Sequence, residues 1–181
     1  MKRWVQLASL LLLAGAVVWI WMQLSPNPER KIRARVVELE GLVSFRAADG
    51  NLATLSKLQQ LGSLFTRDAQ VQVDAPGSPG LTLTGRDRIM QAARGAGRVV
   101  GDLDVQFKDI TITLGRDSQS AVVEAIGQAR GPGYEGVWIQ QLRFSFLETE
   151  NGWLISRVET VRTFTGADPD YGPVSQRLRR A

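Results

Sequence analysis

The N-terminal residues form a long apolar segment that constrains the rest of the chain. Trp4 to Leu24 carry no formal charge, follow Lys2 and Arg3, and end just before Pro26. As a helix rising ~1.5 Å per residue, this segment would reach roughly 31 Å, about the thickness of the hydrocarbon core of a bilayer. The sequence therefore predicts a transmembrane helix over residues 4–24, with residues 1–3 before it and a linker over residues 25–28.

A cleaved secretory signal is the alternative interpretation of this segment. Ala14-Gly15-Ala16 is a small-x-small pattern that a signal peptidase could accept. However, eight more uncharged residues follow, and Trp19 and Trp21 form an aromatic cluster at the far end, as in an interfacial belt. Because the segment is longer than the usual apolar region of a signal peptide, we favour an uncleaved signal anchor.

The charges flanking this segment bear on its orientation. Counting positive charges alone favours the reverse topology, because four basic residues follow the linker: Arg30, Lys31, Arg33 and Arg35. Long domains are translocated largely regardless of charge, so we expect residues 1–3 in the cytoplasm and the remainder exported. In a bacterium this is a single-pass inner-membrane protein with a periplasmic domain.

The balance of charges argues against nucleic acid as a partner. The chain has 22 basic and 18 acidic residues, and removing Lys2 and Arg3 leaves 20 against 18, or +2, after the anchor. This near balance, without a basic stripe interleaved with aromatic residues, does not predict nucleic-acid binding. Residues 167–181 contain an arginine cluster in a Pro/Gly-containing context and are expected to be a basic, flexible tail.

Helical periodicity dominates the first part of the remaining chain. Apolar residues recur at helical spacing over residues 29–46 and again from Leu52 to Leu61. Thr84 and Asp87 form a capping-box pattern before a third helix that is predicted to end near Gly95. Between the second and third helices, alternation over residues 69–75 predicts a short strand closed by a Pro/Gly loop.

From Val99 to Phe164 the pattern is mostly alternating and predicts four antiparallel strands. The apolar residues of the first of these change parity near Lys108-Asp109, which predicts a β-bulge there. Asn151-Gly152 predicts a tight hairpin before the last strand. The element order indicates an α+β domain with a strongly curved antiparallel sheet folded around three helices.

Three motifs in this order resemble the landmarks of nuclear transport factor 2-like, or SnoaL-like, domains. They are Phe65-Thr66-Arg67-Asp68-Ala69-Gln70-Val71, Thr84-Gly85-Arg86-Asp87-Arg88-Ile89 and Glu150-Asn151-Gly152-Trp153-Leu154-Ile155. The resemblance covers residues 29–166 and implies a cone-shaped α+β domain whose wide end can hold a small molecule. It also implies a sheet that often forms a dimer interface. Because this fold supports enzymes and non-enzymes alike, it does not define an activity.

The sequence contains few residues suited to catalysis. The chain has no His and no Cys, so the commonest general base, the commonest metal ligands and a thiolate nucleophile are all absent. The resemblance implies an aspartate at the end of the first strand, to which Asp74 is the nearest match, one residue out of the expected spacing. An alternative role for Asp74 is to cap the following Pro/Gly loop. We predict no catalytic residue, no metal site and no cofactor.

Six residues are candidates for lining a ligand pocket. Gln140 is the one polar residue on the otherwise apolar face of its strand, and it either orients a ligand or pairs with a neighbouring strand. Arg157 and Glu159 share one face of the last strand, either in the cone or on the outer surface. The full set is Asp74, Tyr134, Trp138, Gln140, Arg157 and Glu159.

Two functions agree with these features. The favoured one is an exported, non-catalytic binding or assembly module, anchored in the lipid bilayer through residues 4–24, that forms a homodimer or binds another envelope protein. The alternative is a SnoaL-like enzyme or carrier for a small apolar ligand that uses carboxylate chemistry. An enclosed polar-lined pocket would favour the alternative, and a cone filled by aromatic side chains would favour the module.

Overall fold

A computed structural model describes residues 27–46, 50–75, 78–99, 102–131 and 137–164. It contains three helices, which are α1 (Pro28–Val43), α2 (Asn51–Ser63) and α3 (Arg86–Val99). Its six strands are β1 (Phe65–Ala75), β2 (Ser78–Thr84), β3 (Asp104–Leu114), β4 (Ser120–Arg130), β5 (Trp138–Thr149) and β6 (Gly152–Phe164). In this part of the chain no helix has the length and apolar character needed to cross a membrane. The predicted span over residues 4–24 lies outside the described residues.

The strands form one sheet in the order β2-β1-β6-β5-β4-β3. Neighbouring strands are antiparallel except β1 and β6, which pair in parallel. The sheet is therefore mixed, and the prediction of a wholly antiparallel sheet is wrong in this respect. The prediction failed because the contact between β1 and β6 joins segments that are far apart in sequence, and no local pattern reports its direction.

The helices confirm the predicted order but not every boundary. Asn27 caps α1, its side chain accepting a hydrogen bond from the Glu29 N–H at 3.0 Å, and Pro28 occupies the first helical turn. The helix ends at Val43 and does not reach residue 46, because Phe45 forms a β-bridge with Leu103. Helix α3 continues past Gly95 to Val99, so the predicted helix end at Gly95 is wrong.

The hairpin of β1 and β2 was not predicted. The Pro/Gly segment after Asp74 was interpreted as a loop, yet Ser78 already begins β2 and pairs with Ala75. Gly80 has φ of 72°, a conformation that a glycine adopts without the steric penalty of a side chain. A strand of this kind is hard to recognise because Pro and Gly are normally depleted from strands.

The predicted bulge in β3 is confirmed. The pairing of β3 with β4 shifts register between Lys108 and Thr111, and Asp109 has φ of 53°. The extra residue keeps the apolar side chains before and after it on one side of the sheet, which we call the inner face. Further register shifts in β6 bend the sheet around the helices.

Helix α1 runs along the free edge of β3, in the opposite direction to that strand. Phe45 exchanges two backbone hydrogen bonds with Leu103, each 2.8 Å long. The Ser44 hydroxyl accepts from the Val105 N–H at 3.1 Å, and Glu40 Oε2 accepts from the Phe107 N–H at 2.7 Å. These contacts satisfy polar groups on the free edge of β3, an edge that would otherwise be open to pairing with another chain.

The core lies between the inner face and the helices. Phe144, Phe146 and Trp153 are each only 1% exposed, and Phe107 packs edge-on against Phe144 with ring centroids 5.4 Å apart. The remaining core side chains include Ile32, Val36, Leu39, Leu61, Leu64, Val123 and Ile155. The concave space of the sheet is thus largely occupied by the protein's own side chains.

We expect Phe144→Ala to destabilise the protein by about 3–5 kcal/mol, because it removes apolar contacts and leaves a cavity in a tightly packed region. Urea unfolding monitored by circular dichroism would measure the change. Leu52, which is 85% exposed on α2, provides the control, and Leu52→Ala should change stability by less than about 0.5 kcal/mol. Equal effects of the two substitutions would contradict the proposed location of the core.

The turn between β3 and β4 generates a pH-dependent prediction. Asp117 Oδ1 accepts hydrogen bonds from the Gln119 N–H, the Ser120 N–H and the Ser120 hydroxyl, at 3.0, 3.2 and 2.9 Å. These bonds hold the pKa of the Asp117 carboxyl below its ordinary value of 3.8, and the bond from the Gln119 N–H has the largest effect. The ionised carboxylate therefore stabilises the fold above this value, and its contribution is lost as pH falls through the lowered pKa.

We expect Asp117→Asn to lower the Tm at neutral pH, because the amide oxygen is a weaker acceptor than the carboxylate. The difference from the wild type should shrink as pH falls below 3.8 and through the lowered pKa, where the carboxyl of the folded protein becomes protonated. Thermal unfolding of both proteins across this pH range measures the effect. A difference that is independent of pH would show that the charge of Asp117 does not stabilise the turn.

Candidate functional site

Two of the predicted pocket residues meet at one end of the inner face. Gln140, which is only 7% exposed, extends from β5 across β6, and its Nε2 donates to the backbone carbonyl oxygen of Asp74 at 2.6 Å. The same Nε2 lies 3.3 Å from Thr163 Oγ1, and the Thr163 hydroxyl donates to Asp74 Oδ2 at 3.3 Å. Asp74, Gln140 and Thr163 therefore form one hydrogen-bonded cluster that joins β1, β6 and β5.

The Asp74 carboxylate has a second role in the β1–β2 hairpin. Its Oδ1 accepts from the Gly80 N–H at 2.8 Å, while the Asp74 N–H donates to Thr160 Oγ1 at 3.1 Å. The interpretation of Asp74 as a cap for the Pro/Gly segment is thus confirmed. Both carboxylate oxygens accept hydrogen bonds from the protein, an arrangement that fixes backbone geometry. A role of Asp74 in ligand binding remains a prediction.

Of the two aromatic residues predicted to line a pocket, the structure describes Trp138. Trp138 begins β5 opposite Ala129, and its indole Nε1 is buried without a hydrogen-bond partner among the described residues. This buried indole N–H is thus an unsatisfied donor at this end of the sheet. Tyr134 lies outside the described residues.

Arg157 and Glu159 are on the opposite side of the sheet, which we call the outer face. Arg157 Nε lies 3.0 Å from Glu159 Oε2, and Glu159 Oε1 lies 3.2 Å from a guanidinium nitrogen of Arg143. Arg143 also binds Glu124 at 2.8 Å. These contacts, led by those with Glu124, raise the pKa of the Arg143 guanidinium above its ordinary value. The structure therefore does not bring Arg157 and Glu159 together with Asp74 and Gln140.

Sequence reasoning missed Glu124 and Arg143. A signal for them was present, because each is a charged residue between apolar residues on a predicted strand, and Glu124 is paired with Arg143 in the β4–β5 register. The register itself depends on hairpin lengths that the sequence did not fix. The ion pairs between strands therefore became visible only in the structure.

A cavity of about 1000 Å³ opens at the same end of the sheet as the Asp74 cluster. It lies beside the end of α1 and the beginning of β3, and oppositely charged side chains contribute to its wall. Its lining residues are Gly41, Ser44, Phe45, Arg46, Lys57, Asp102, Leu103, Asp104, Arg130 and Gly131. Lys57 Nζ donates to the backbone carbonyl of Ser44 at 3.2 Å, which joins α2 to the residue following α1. Of the five predicted pocket residues that the structure describes, none is among these lining residues.

A metal centre is not evident in this part of the protein. No group of three or more His, Cys, Asp or Glu side chains is arranged to hold a metal ion among the residues that the structure describes. The acidic residues at the cavity, Asp102 and Asp104, are accompanied there by Arg46, Lys57 and Arg130. The cavity therefore offers a lining that is partly apolar and partly polar, with side chains of both charges.

The fold defined by these elements is the nuclear transport factor 2-like fold. A protein assigned as a scytalone dehydratase from Novosphingobium aromaticivorans has a TM-score of 0.57 and 19% identity, over 76% of this chain and 84% of that one. A nuclear transport factor 2-like protein of unknown function from Pseudomonas putida has a TM-score of 0.58 and 10% identity, over 77% and 89% of the two chains.

An uncharacterised protein with a cystatin-like fold from Caulobacter vibrioides has a TM-score of 0.60 and 15% identity, over 83% of this chain and 97% of that one. No protein-family model and no curated protein sequence matches the chain. At these identities the comparisons establish the fold, and the resemblance derived from the three motifs is confirmed at that level. They do not bear on membrane anchoring.

We expect Gln140→Glu to destabilise the protein by about 2–4 kcal/mol at neutral pH, because an ionised carboxylate would face the Asp74 carbonyl without a proton to donate. Urea unfolding would measure the loss. Stability should partly recover at acidic pH, where the introduced carboxyl is protonated and can donate.

Gln70 on the outer face is the matched control for this substitution. It is exposed and lies opposite Arg157 in the β1–β6 register, so Gln70→Glu should change stability by less than about 0.5 kcal/mol. If Gln140→Glu were equally harmless, the contact between Gln140 and Asp74 would not hold β5 to β1.

Proposed function

We propose that the protein is a membrane-tethered, exported binding module of nuclear transport factor 2-like fold that acts without catalysis and associates with a second copy of itself. The observation that carries this proposal is the filled inner space of the sheet. Phe144, Phe146 and Trp153 are each only 1% exposed and fill part of the concave side of the sheet, which reduces the volume left there for a small molecule.

The polar groups of the inner face support the same conclusion. A general base needs a position within hydrogen-bond reach of a bound substrate and a suitable pKa. Asp74 instead binds Gly80 and Thr163, and Gln140 binds Asp74 and Thr163. These groups join three strands, which is a structural role, and the absence of His and Cys leaves carboxylates as the only common alternative.

The tether is part of the proposal and is supported by the sequence. Residues 4–24 have the length and apolar character of a single span, and α1 begins at Pro28, the last residue of the proposed linker. We propose that the domain lies on the periplasmic side of a bacterial inner membrane. Its partners would be the lipid bilayer, a second copy or another envelope protein, and no nucleic acid.

The cavity beside α1 favours a second candidate function, a carrier or enzyme of SnoaL-like type for a small molecule. Its volume of about 1000 Å³ is at the upper end of the range for ligand pockets. The donor of Trp138 is a further polar group at that end of the sheet. The neighbour assigned as a scytalone dehydratase shows that the fold can accompany an enzymatic assignment.

Native mass spectrometry of the full-length protein in detergent distinguishes these functions. We expect a homodimer without a retained small molecule. A defined bound small molecule would overturn the non-catalytic proposal, and a monomer at micromolar concentration would overturn the self-association. Extraction of membranes with alkaline carbonate tests the tether, because release of the protein would show that residues 4–24 do not anchor it.

Two glycine variants would locate any retained molecule. Gly41 lines the cavity and Gly95 lies on α3, and a Cβ added at either position meets no heavy atom within 4 Å. Gly41→Phe should therefore place a large side chain at the wall of the cavity with room for its Cβ, and Gly95→Phe is the control of equal size. Loss of the bound molecule in the Gly41 variant alone would assign binding to the cavity and support the second candidate.

A further inference from the structure

The two edges of the sheet differ in how their backbone groups are paired. The sheet ends with β3 on one side and with β2 on the other. At the β3 edge, Glu40, Ser44 and Phe45 hydrogen-bond to the strand. In the part of the chain that the structure describes, β2 pairs with β1 alone, so its other side has no strand partner. Such an edge presents backbone donors and acceptors to a further extended segment.

The register of the β1–β2 hairpin identifies these backbone groups. The Gly85 N–H donates to the Ala69 carbonyl at 2.8 Å, and the pairing continues from there through Leu83 without a shift. In an antiparallel pair, residues that hydrogen-bond to the neighbouring strand alternate with residues that do not. Leu83 therefore directs its backbone groups towards β1, whereas Thr82 and Thr84 direct theirs away from it. Both threonines are exposed.

Two glycines limit the length of this edge. Gly80 has φ of 72° and Gly85 has φ of 91°, conformations that glycine adopts readily and that interrupt an extended strand. The Gly80 N–H is bonded to the Asp74 carboxylate, and α3 begins immediately after Gly85. The open edge therefore covers residues 81–84, a length that suits one short extended segment better than a broad folded surface.

Helix α3 adds a positive charge beside this edge. A Cβ added at Gly62 would meet the Met90 side chain, so the Met90 flank of α3 faces α2. Helix α2 contacts both α1 and α3 and thus lies on the side of α3 towards β3. Arg88 is two residues before Met90, a rotation of about 200°, which places it on the opposite flank, towards β2. It is exposed and forms no ion pair with another residue that the structure describes.

The side chains along the edge define the chemistry of a complementary segment. Leu81 is 39% exposed and lies opposite Val73 on the inner face, whereas Thr82 is uncharged and lies on the outer face. A segment that continues this alternation has apolar residues beside Leu81 and polar residues beside Thr82. An acidic residue on its inner side would meet Arg88, and a pairing of opposite charges fixes the register of binding.

We propose that the free edge of β2, over residues 81–84, binds an extended segment of another protein that has alternating apolar residues and an acidic residue beside Arg88. The segment pairs its backbone with Thr82 and Thr84 and adds a strand to the sheet. This assigns a surface and a partner chemistry to the binding role proposed above, on which it rests. It requires neither the tether nor self-association.

Selection of a phage-displayed library of random peptides on the full-length protein in detergent tests this proposal. We expect enriched peptides that are acidic, have apolar residues at alternate positions and bind with a micromolar Kd. Amide hydrogen exchange measured by NMR then locates the contact. An enriched peptide should slow exchange of the Thr82 and Thr84 N–H groups about tenfold or more, and leave the Leu83 N–H, already directed to β1, unchanged.

A proline substitution tests the backbone pairing. Thr82→Pro removes an N–H that points away from β1, and proline is tolerated on edge strands. It should weaken binding of an enriched peptide about tenfold or more, because the peptide loses a backbone donor. Thr82→Val is the control, since it keeps the N–H and should bind the peptide as tightly as the wild type does.

A charge reversal tests the contribution of α3 and applies even if the proline variant does not fold. Arg88→Glu should weaken binding of an enriched acidic peptide about tenfold or more. Arg94→Glu is the matched control, because it makes the same change at an exposed position about 120° away around the same helix. It should leave binding unchanged. Circular dichroism establishes that each variant is folded.

Three results would overturn the proposal. They are a selection that yields no binding peptide, peptide binding that survives both Thr82→Pro and Arg88→Glu, and slow exchange of the Thr82 and Thr84 N–H groups in the protein alone, which would mean that the edge is already occupied. Loss of a homodimer in Thr82→Pro would instead assign the edge to a second copy and also overturn it. A monomeric wild-type protein that binds the peptide would refute self-association alone.

Discussion

The closure of the free edge of β3 by α1 is the contact on which the rest of the structure depends. Backbone groups on this edge hydrogen-bond to Glu40 in α1 and to Ser44 and Phe45 just after it. The bonded strand residues are Leu103, Val105 and Phe107. These bonds hold α1 against the sheet, so that Ile32 and Val36 become fully buried. The same contact protects an edge strand from pairing with other chains and fixes the direction in which the preceding residues enter the domain.

The polar side chains inside the domain hydrogen-bond to the protein itself, so sharing this fold does not imply sharing a ligand-binding function. A nuclear transport factor 2-like sheet can enclose a ligand, but the aromatic core of this chain occupies much of its concave space. The cluster of Asp74, Gln140 and Thr163 then uses its hydrogen-bonding capacity to connect three strands. In the described part of the chain, the surfaces accessible for recognition include the outer face and the cavity beyond the end of α1.

Local signals in the sequence were sufficient to predict much of the fold. The helical spacing of Ile32, Val36 and Leu39 and the parity change at Lys108-Asp109 have direct counterparts in α1 and in the β3 bulge. The parallel pairing of β1 with β6 was beyond such reasoning, because it depends on contacts between distant segments. The strand at Ser78 was missed because its Pro and Gly residues favour turns.

The candidate site was less predictable, because it also depends on contacts between segments that are distant in sequence. The odd polar position of Gln140 could be recognised from alternation, but its partner Asp74 lies 66 residues away in sequence. Arg157 and Glu159 could be placed on one face, yet which face that is depends on the two register shifts in β6. A single added residue in a strand reverses the side to which the following side chains point.

The antiparallel course of α1 along β3 also bears on how the cavity would be reached. The helix spans about 24 Å from Pro28 to Val43, and the cavity lies at its far end, beside Ser44 and Phe45. With the tether proposed above at the near end, this cavity would lie at the end of α1 that is remote from the bilayer. A cavity in that position would be better placed for molecules that arrive through the aqueous compartment than for solutes dissolved in the hydrocarbon phase.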